Sequence, residues 1–371
     1  MGSTRAMMDE INEQPSLLEQ LWNSREDWTA PFVDLCCSHH FRRLLFVGNG
    51  SPYYGGLTLR HAAEHLLHVN AESIPAAVFH NHGSFDASGV LDPSEIVLVC
   101  PAETGHSRGQ VDAARRAREL GVSVVCTTLN PTGVLARECD VVLAKLGGPE
   151  RAIAATKNQT MALFLVLTCF VEAARALGTI GASEYDVLCG ALAAVPDNIR
   201  ATIARTQAWA EANRERLLGA GAFFLIGYGA NYGTVQEAAL KFYETHERPT
   251  YAFELEETLH GPLRALHAND MALFLSSEAG PERERMATLA DACASFCNNR
   301  VLVMSESQAA RASHDADVLA IASDDVAYVD TLEYLVPLQV IASMMSAWLG
   351  IDLAAPKVAA LDPVMLPAYE D

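Results

Sequence analysis

The chain has no C-x-x-C pair, and its nine cysteines among 371 residues follow no zinc or redox spacing. Cys36 and Cys37 are adjacent, Cys293 and Cys297 lie one helical turn apart, and Cys100 and Cys126 sit in apolar runs. An odd number of thiols spread through apolar segments fits reduced, buried side chains of the cytosol. Basic excess is missing too: 26 Lys and Arg against 46 Asp and Glu leave a formal net charge of -20. A general nucleic-acid surface needs clustered cations, so no nucleic-acid partner is expected. A single phosphate is not excluded, because hydroxyls and backbone N–H groups at one helix N-terminus bind it locally. The first residues are polar and supply no apolar stretch of a secretory signal. The longest apolar runs, 161–174 and 335–351, are too short or too interrupted (by Gln339) to span a bilayer and read as buried helices. With 50% hydrophobic and 19% charged residues, the expectation is a globular, cytoplasmic chain, long enough for two domains, with no membrane partner.

Helical spacing of Leu17, Leu18, Leu21 and Trp22 marks an N-terminal helical segment, with Pro15 in a first turn or at a break. Short apolar runs then alternate with helical patterns. Leu44 to Val47, 76–79, 96–100, 122–127 and 141–143 predict strands, and 53–68 and 110–120 predict helices, the latter ending at Gly121. A long helix over about 155–177 closes this half, and 181–215 reads as two helices separated by Pro196. Runs at 223–226, 271–275, 300–304 and 318–321, with a last helix over 331–349, repeat the pattern. Buried strands separated by helices predict an α/β protein of parallel sheets covered on both faces.

The repeat holds residue by residue. Phe46-Val47-Gly48-Asn49-Gly50-Ser51 parallels Leu225-Ile226-Gly227-Tyr228-Gly229-Ala230, and Cys100-Pro101-Ala102-Glu103-Thr104-Gly105 parallels Leu275-Ser276-Ser277-Glu278-Ala279-Gly280. A glycine turn that ends a strand and opens a helix is where open α/β sheets bind anions. The third glycine of a dinucleotide fingerprint is absent after Pro52, which argues against a nicotinamide or flavin site, although a turn without any ligand stays open. Thr104, Gly105 and Ser107 can wrap a phosphate, or Thr104 or Ser107 can simply cap a helix. Glu237, Lys241 and Glu244 recur at i, i+4 and i+7 on one helical face, followed by His260-Gly261-Pro262. A carboxylate beside a lysine and a histidine suits proton transfer next to a carbonyl, although a solvated ion-pair stripe and a turn histidine have the same spelling.

Together these motifs resemble the SIS (sugar isomerase) family, most closely the isomerase half of glucosamine-6-phosphate synthase and its stand-alone relatives. The resemblance is carried by the opening from Glu10 to Pro15, the G-N-G-S turn, residues 102–107, Ala154-Ala155-Thr156-Lys157, and E-A-A-L-K-x-x-E followed by H-G-P. It implies two tandem SIS domains, each a doubly wound parallel sheet: a helical segment 1–34, domains at 35–180 and 216–350 joined by a helical linker 181–215, and a tail 351–371. It implies Glu244 as the base that shuttles a proton between C1 and C2, and His260 as an aid to ring opening, reaching across a homodimer from the neighbouring subunit. Thr104 and Ser107 would hold the phosphate, with Asn49, Ser51, Glu103, Gly105 and Thr156 lining the pocket and Glu237, Lys241 and Glu150 shaping it. No metal or other cofactor is implied. Three departures stand out: Ala102 and Ala155 replace serines, and the tail lacks the synthase's lysine, Lys357 standing too early beside Pro356. With no glutaminase half either, these favour an enzyme on amino-sugar or fructosamine 6-phosphates, a deglycase ahead of a glucosamine-6-phosphate deaminase or an aldose–ketose isomerase. A non-catalytic phosphosugar sensor is the alternative from another class.

Overall fold

The computed structural model describes residues 5–311, 314–354, 360 and 367–370. Two five-stranded parallel sheets organise the chain. The first contains β1 (Arg43–Gly48), β2 (Asn70–Pro75), β3 (Ile96–Pro101), β4 (Ser123–Thr128) and β5 (Val141–Ala144), in the order β2-β1-β3-β4-β5. The second contains β6 (Phe223–Gly227), β7 (Thr250–Glu254), β8 (Met271–Ser276), β9 (Asn299–Ser305) and β10 (Asp317–Ile321), in the order β10-β9-β8-β6-β7. Central strands are continuous apolar runs because helices cover both their faces. Helices α1 (Ala6–Asn23) and α2 (Arg25–Ser38) precede the first sheet, and α3 (Ser51–Leu67), α4 (Ala76–His82) and α5 (Arg108–Leu120) lie between its strands. After it come α6 (Lys157–Leu177), α7 (Ala182–Ala212) and α8 (Arg214–Gly219). The second sheet is accompanied by α9 (Asn231–His246), α10 (Leu255–Leu259), α11 (Pro281–Ala292), α12 (Glu306–Ala309) and α13 (Asp330–Leu349). By contacts the chain divides into two compact units that are not contiguous in sequence. One holds 17–150, 158–192 and the described tail residues, and the other holds 1–16, 151–157 and 193–354.

The structure corrects four expectations. Residues 76–79 are not a strand but open α4, and the strand lies just before them in β2. As a sheet edge, β2 alternates exposed and buried positions and so lacks a continuous apolar run. Pro196 lies inside α7, a single helix of 31 residues. Leu192, Val195 and Ile199 are fully buried around it, so packing outweighs the lost N–H. Pro15 likewise lies inside α1 and does not break it. Finally, α6, α7 and α13 are long and apolar enough, by length and composition, to cross a membrane, because the helices extend past the apolar runs read from sequence. Most of the apolar stretch of α6 and of α13 is buried in the protein. Gln339 does not interrupt α13: its amide accepts from Gln14 (2.8 Å) and donates to the Thr156 carbonyl (3.4 Å).

The first turn of α13 buries Glu333, 2% exposed, whose Oε1 accepts from Asn198 Nδ2 at 2.6 Å. Burial pushes its carboxyl up from the usual 4.5 to about 7, with Asp324 and Asp325 adding repulsion. An acid whose folded pKa is raised contributes most below its unfolded pKa, and that stability is lost as pH rises from about 4.5 to 7. Glu333→Gln is therefore expected to change little at pH 4.5 and to stabilise the protein by about 2–3 kcal/mol at pH 8. Urea denaturation at the two pH values checks this, and equal effects at both would refute it.

Candidate active site

In the first sheet the chain leaves β1 for β2 on one side while β3 lies on the other, so the strand order reverses between β1 and β3. Loops that leave the carboxyl ends of such strands diverge and open a crevice. Gln110, buried in α5, fixes this edge: its Nε2 donates to the carbonyls of Val47 at 3.1 Å and of Pro101, tying the ends of β1 and β3 together. A side chain on Gly48 would collide with Pro52, and Gly50 adopts a φ of 63°, so the turn requires glycine at both positions. Ser51 opens α3. The carbonyl of Asn49's side chain is spent on the backbone N–H of Ala76 at 3.1 Å, which caps α4.

The loop 102–107 follows β3. Gly105 has φ 78°, and a Cβ there would stand 3.1 Å from Leu135 and 3.2 Å from Thr128 Oγ1. Thr104 and Ser107 are exposed. Ser107 occupies the N-cap position of α5, yet its hydroxyl makes no capping bond, so capping does not account for it. Glu103 turns away from this loop's mouth: its Oε1 accepts from the Glu150 backbone at 3.2 Å and from Asn158 Nδ2 at 3.3 Å. Glu150 Oε1 accepts in turn from the Asn158 backbone at 2.9 Å. Lys145, buried at the end of β5, has its pKa lowered to about 8 by burial, with Glu103 and Glu150 resisting the shift. The tail braces the loop from outside. Arg108 N–H donates to Pro367 O (3.1 Å), Tyr369 N–H to His106 O (2.8 Å) and Tyr369 OH to Asp112 (2.8 Å), while Arg108 and Arg115 lie over the Tyr369 ring.

On α9, Lys241 is 1% exposed, and its Nζ stands 3.4 Å from Glu237 Oε1 and 2.7 Å from Glu244 Oε2. The face shared at i, i+4 and i+7 is thus a buried ion-paired set and not a solvated stripe. Glu237 is buried, whereas a quarter of the Glu244 side chain remains accessible. His260 ends α10, exposed, and makes no side-chain hydrogen bond or ion pair among the described residues. Thr156 and Lys157 belong with the N-terminal motif: Lys157 Nζ meets Glu13 at 2.6 Å, and Glu10 accepts from the backbone of Arg151 and Ala152. Among the described residues no three His, Cys, Asp or Glu side chains are grouped to hold a metal ion.

Residues 39–172 match the SIS domain family. Over that stretch the chain is similar to SIS domains. The glutamine–fructose-6-phosphate aminotransferase (isomerizing) of Aeropyrum pernix is 28% identical over 281 residues, 76% of this chain and 45% of that protein. The chain spans about half the length of the relatives it matches. A protein of Clostridium difficile 630 described as a phosphosugar isomerase superposes with a TM-score of 0.84 at 20% identity, covering 98% of this chain and 99% of its own. The C-terminal domain of the glucosamine-fructose-6-phosphate aminotransferase of Francisella tularensis gives 0.83 at 18%, covering 94% and 97%. These likenesses establish one fold across both halves.

Beyond residues 39–172, the repeated glycine turn is surrounded by different chemistry. Glu278, the counterpart of Glu103, reaches over the second glycine turn, where a Cβ on Gly229 would stand 2.6 Å from its Oε1. Burial raises the carboxyl of Glu278 and pushes that of Asp330 well above the usual range. A crevice already filled by acids does not suit an anion. Motif reading also passed over His246, whose ring is buried between Phe223 and Phe242 and held down to about 3 by burial, so it stays neutral. The residues missed altogether, Gln110, Lys145 and Tyr369, have one usable signal among them: Gln110 and Lys145 are polar positions inside apolar periodic runs.

Proposed function

We propose that this chain is a cytoplasmic phosphosugar enzyme that moves a proton between C1 and C2 of an amino-sugar or fructosamine 6-phosphate. The observation that carries this reading is Glu244, a partly accessible carboxylate whose oxygen is held by a buried ammonium in a chain similar to SIS domains. Such a group is positioned to accept and return a proton. Ser107, whose hydroxyl makes no capping bond at the N-terminus of α5, and the exposed Thr104 take the phosphate, with Ser51 toward the sugar. On a fructosamine 6-phosphate, loss of a C1 proton gives the enaminol, and protonation at C2 gives the aldose imine. Water then hydrolyses that imine to a sugar phosphate and a free amine. The alanines at 102 and 155 and the lysine-free stretch 367–370 weigh against amination of fructose 6-phosphate; Lys357 lies outside the described residues. The exposed ring of His260 is consistent with a role completed in a homodimer.

A coupled assay across glucosamine 6-phosphate, fructose 6-phosphate and several fructosamine 6-phosphates tests this. Turnover is expected with at least one fructosamine 6-phosphate. Turnover of glucosamine 6-phosphate alone would make the protein a deaminase, and interconversion of unsubstituted sugar phosphates alone an isomerase. Binding without turnover of any member would replace the enzyme by a sensor.

A further inference from the structure

Lysine is scarce in this chain: of 26 basic residues only Lys145, Lys157, Lys241 and Lys357 are lysines. The three described ones are all buried, 8%, 3% and 1% exposed. Lys157 pairs with Glu13, and Lys241 pairs with Glu237 and Glu244. Lys145 makes no ion pair among the described residues. An ammonium removed from water without a direct ion pair is costly, and Glu103 and Glu150 offset only part of that cost, which leaves room for an anion that arrives from outside.

Its place in the fold says which anion. Lys145 N–H donates to the Thr128 carbonyl at 2.9 Å, and Thr128 Oγ1 donates to the Glu103 carbonyl at 3.2 Å. That hydroxyl also stands against Gly105, so Lys145 lies one residue layer behind the loop 102–107. The charged and titratable groups that face it are Glu103 from this loop, Glu150 from the segment after β5 and Cys126 from β4. A helix N-terminus supplies only about half a positive charge. A phosphate dianion on this loop, in a chain of net charge -20, is balanced better by a full positive charge than by a helix terminus and two hydroxyls alone. Ala102 has also removed one hydroxyl that the SIS resemblance would have put there.

We propose that Lys145 is a second anion-recognition group of this loop, its ammonium pairing with the phosphate that Thr104 and Ser107 hold. The inference rests on the phosphosugar reading. It adds a full positive charge to a site otherwise made of hydroxyls and dipoles, and it makes affinity depend on pH. Above pH 7 the phosphate is already a dianion, so the ligand's charge no longer changes. As pH rises through about 8 in the free protein, the ammonium is lost and binding weakens.

Calorimetric titration with fructose 6-phosphate, and with inorganic phosphate as a second probe, tests this. Lys145→Met is expected to weaken binding of both roughly 30-fold, and Lys145→Arg to stay within about threefold of wild type. Wild-type affinity should fall by up to about tenfold per pH unit above 8, and the arginine variant should be flat to pH 9.5. Unchanged affinity in Lys145→Met, or the same pH slope in Lys145→Arg as in wild type, would overturn the proposal. If Lys145→Met does not fold, the slope of the arginine variant decides. Phosphate binding that needs Lys145, without any sugar-phosphate binding, would keep this inference and end the phosphosugar reading. A wild-type protein that binds neither probe ends both.

Discussion

Replacing Glu244 by glutamine is expected to lower turnover on a fructosamine 6-phosphate by about a thousandfold, with the fold retained. The substitution keeps shape and volume and removes the only property a proton shuttle needs, a carboxylate that can accept a proton and release it. Glu244 sits in the last turn of α9, and a quarter of its side chain is accessible. Lys241 holds one oxygen at 2.7 Å, which fixes the carboxylate's direction without covering it. An amide oxygen can accept the same bond and Glu237 remains as counter-charge to the buried ammonium, so the fold is expected to survive with a stability loss of about 1–3 kcal/mol. Steady-state kinetics and a thermal melt on the same sample separate the two effects. Substrate affinity should be nearly unchanged, since the phosphate contacts proposed here lie on the loop 102–107. If Glu244→Gln kept near wild-type kcat, the base would have to be another group and the catalytic reading would fall.

How much of this could be read from sequence follows from where the information sits. Central strands β3, β4, β6, β8 and β9 bury both faces, so each is spelled as an apolar run and was legible. Of the edge strands, β5 and β10 were still spelled as short apolar runs, but β2 and β7 were not: β2 exposes Asn70 and Glu72, and β7 exposes Tyr251, because one side of each lacks a neighbouring strand. The run at 76–79 looked like a strand because it is apolar. It is helical because Asn49 caps its first N–H and the preceding residues already complete the sheet edge. Proline was over-read as punctuation at 196, where burial on both sides holds a continuous helix.

The site divides the same way. The α9 set was legible because a helix places i, i+4 and i+7 together whatever surrounds it, and only its burial had to come from the structure. Residues 102–107 were legible as a loop, but whether Ser107 caps or stays available depended on hydroxyl geometry that no spacing reveals. Gln110, Lys145 and Tyr369 act through contacts 9 to 257 residues away in sequence, as in the bonds from Gln110 to Pro101 and from Tyr369 to Asp112. Duplication is equally informative in its failure. The second glycine turn repeats the G-x-G of the first, yet Glu278 stands over it, so a motif match alone does not distinguish the two turns.

Lys241→Met is expected to lower unfolding stability by roughly 3–5 kcal/mol at pH 8, the largest stability effect on α9. The ammonium is 1% exposed, and Glu237 beside it is equally buried, so methionine fills the volume and leaves a carboxylate without its counter-charge in a dry environment. Two comparisons identify the cause. Adding Glu237→Gln to Lys241→Met removes the stranded charge and should recover at least half of the loss. If a stranded buried charge is the cause, lowering pH to 5 should also narrow the gap to wild type, because acid favours the neutral form of a buried carboxyl. Urea denaturation of the single and double variants at both pH values measures each term. A loss below about 1 kcal/mol in the single variant would mean that water already reaches this cluster, and a double variant no better than the single would mean that packing and not charge is at stake. In either case Glu244 would need another source of its fixed direction, which ties this stability measurement to the catalytic reading of the same helix.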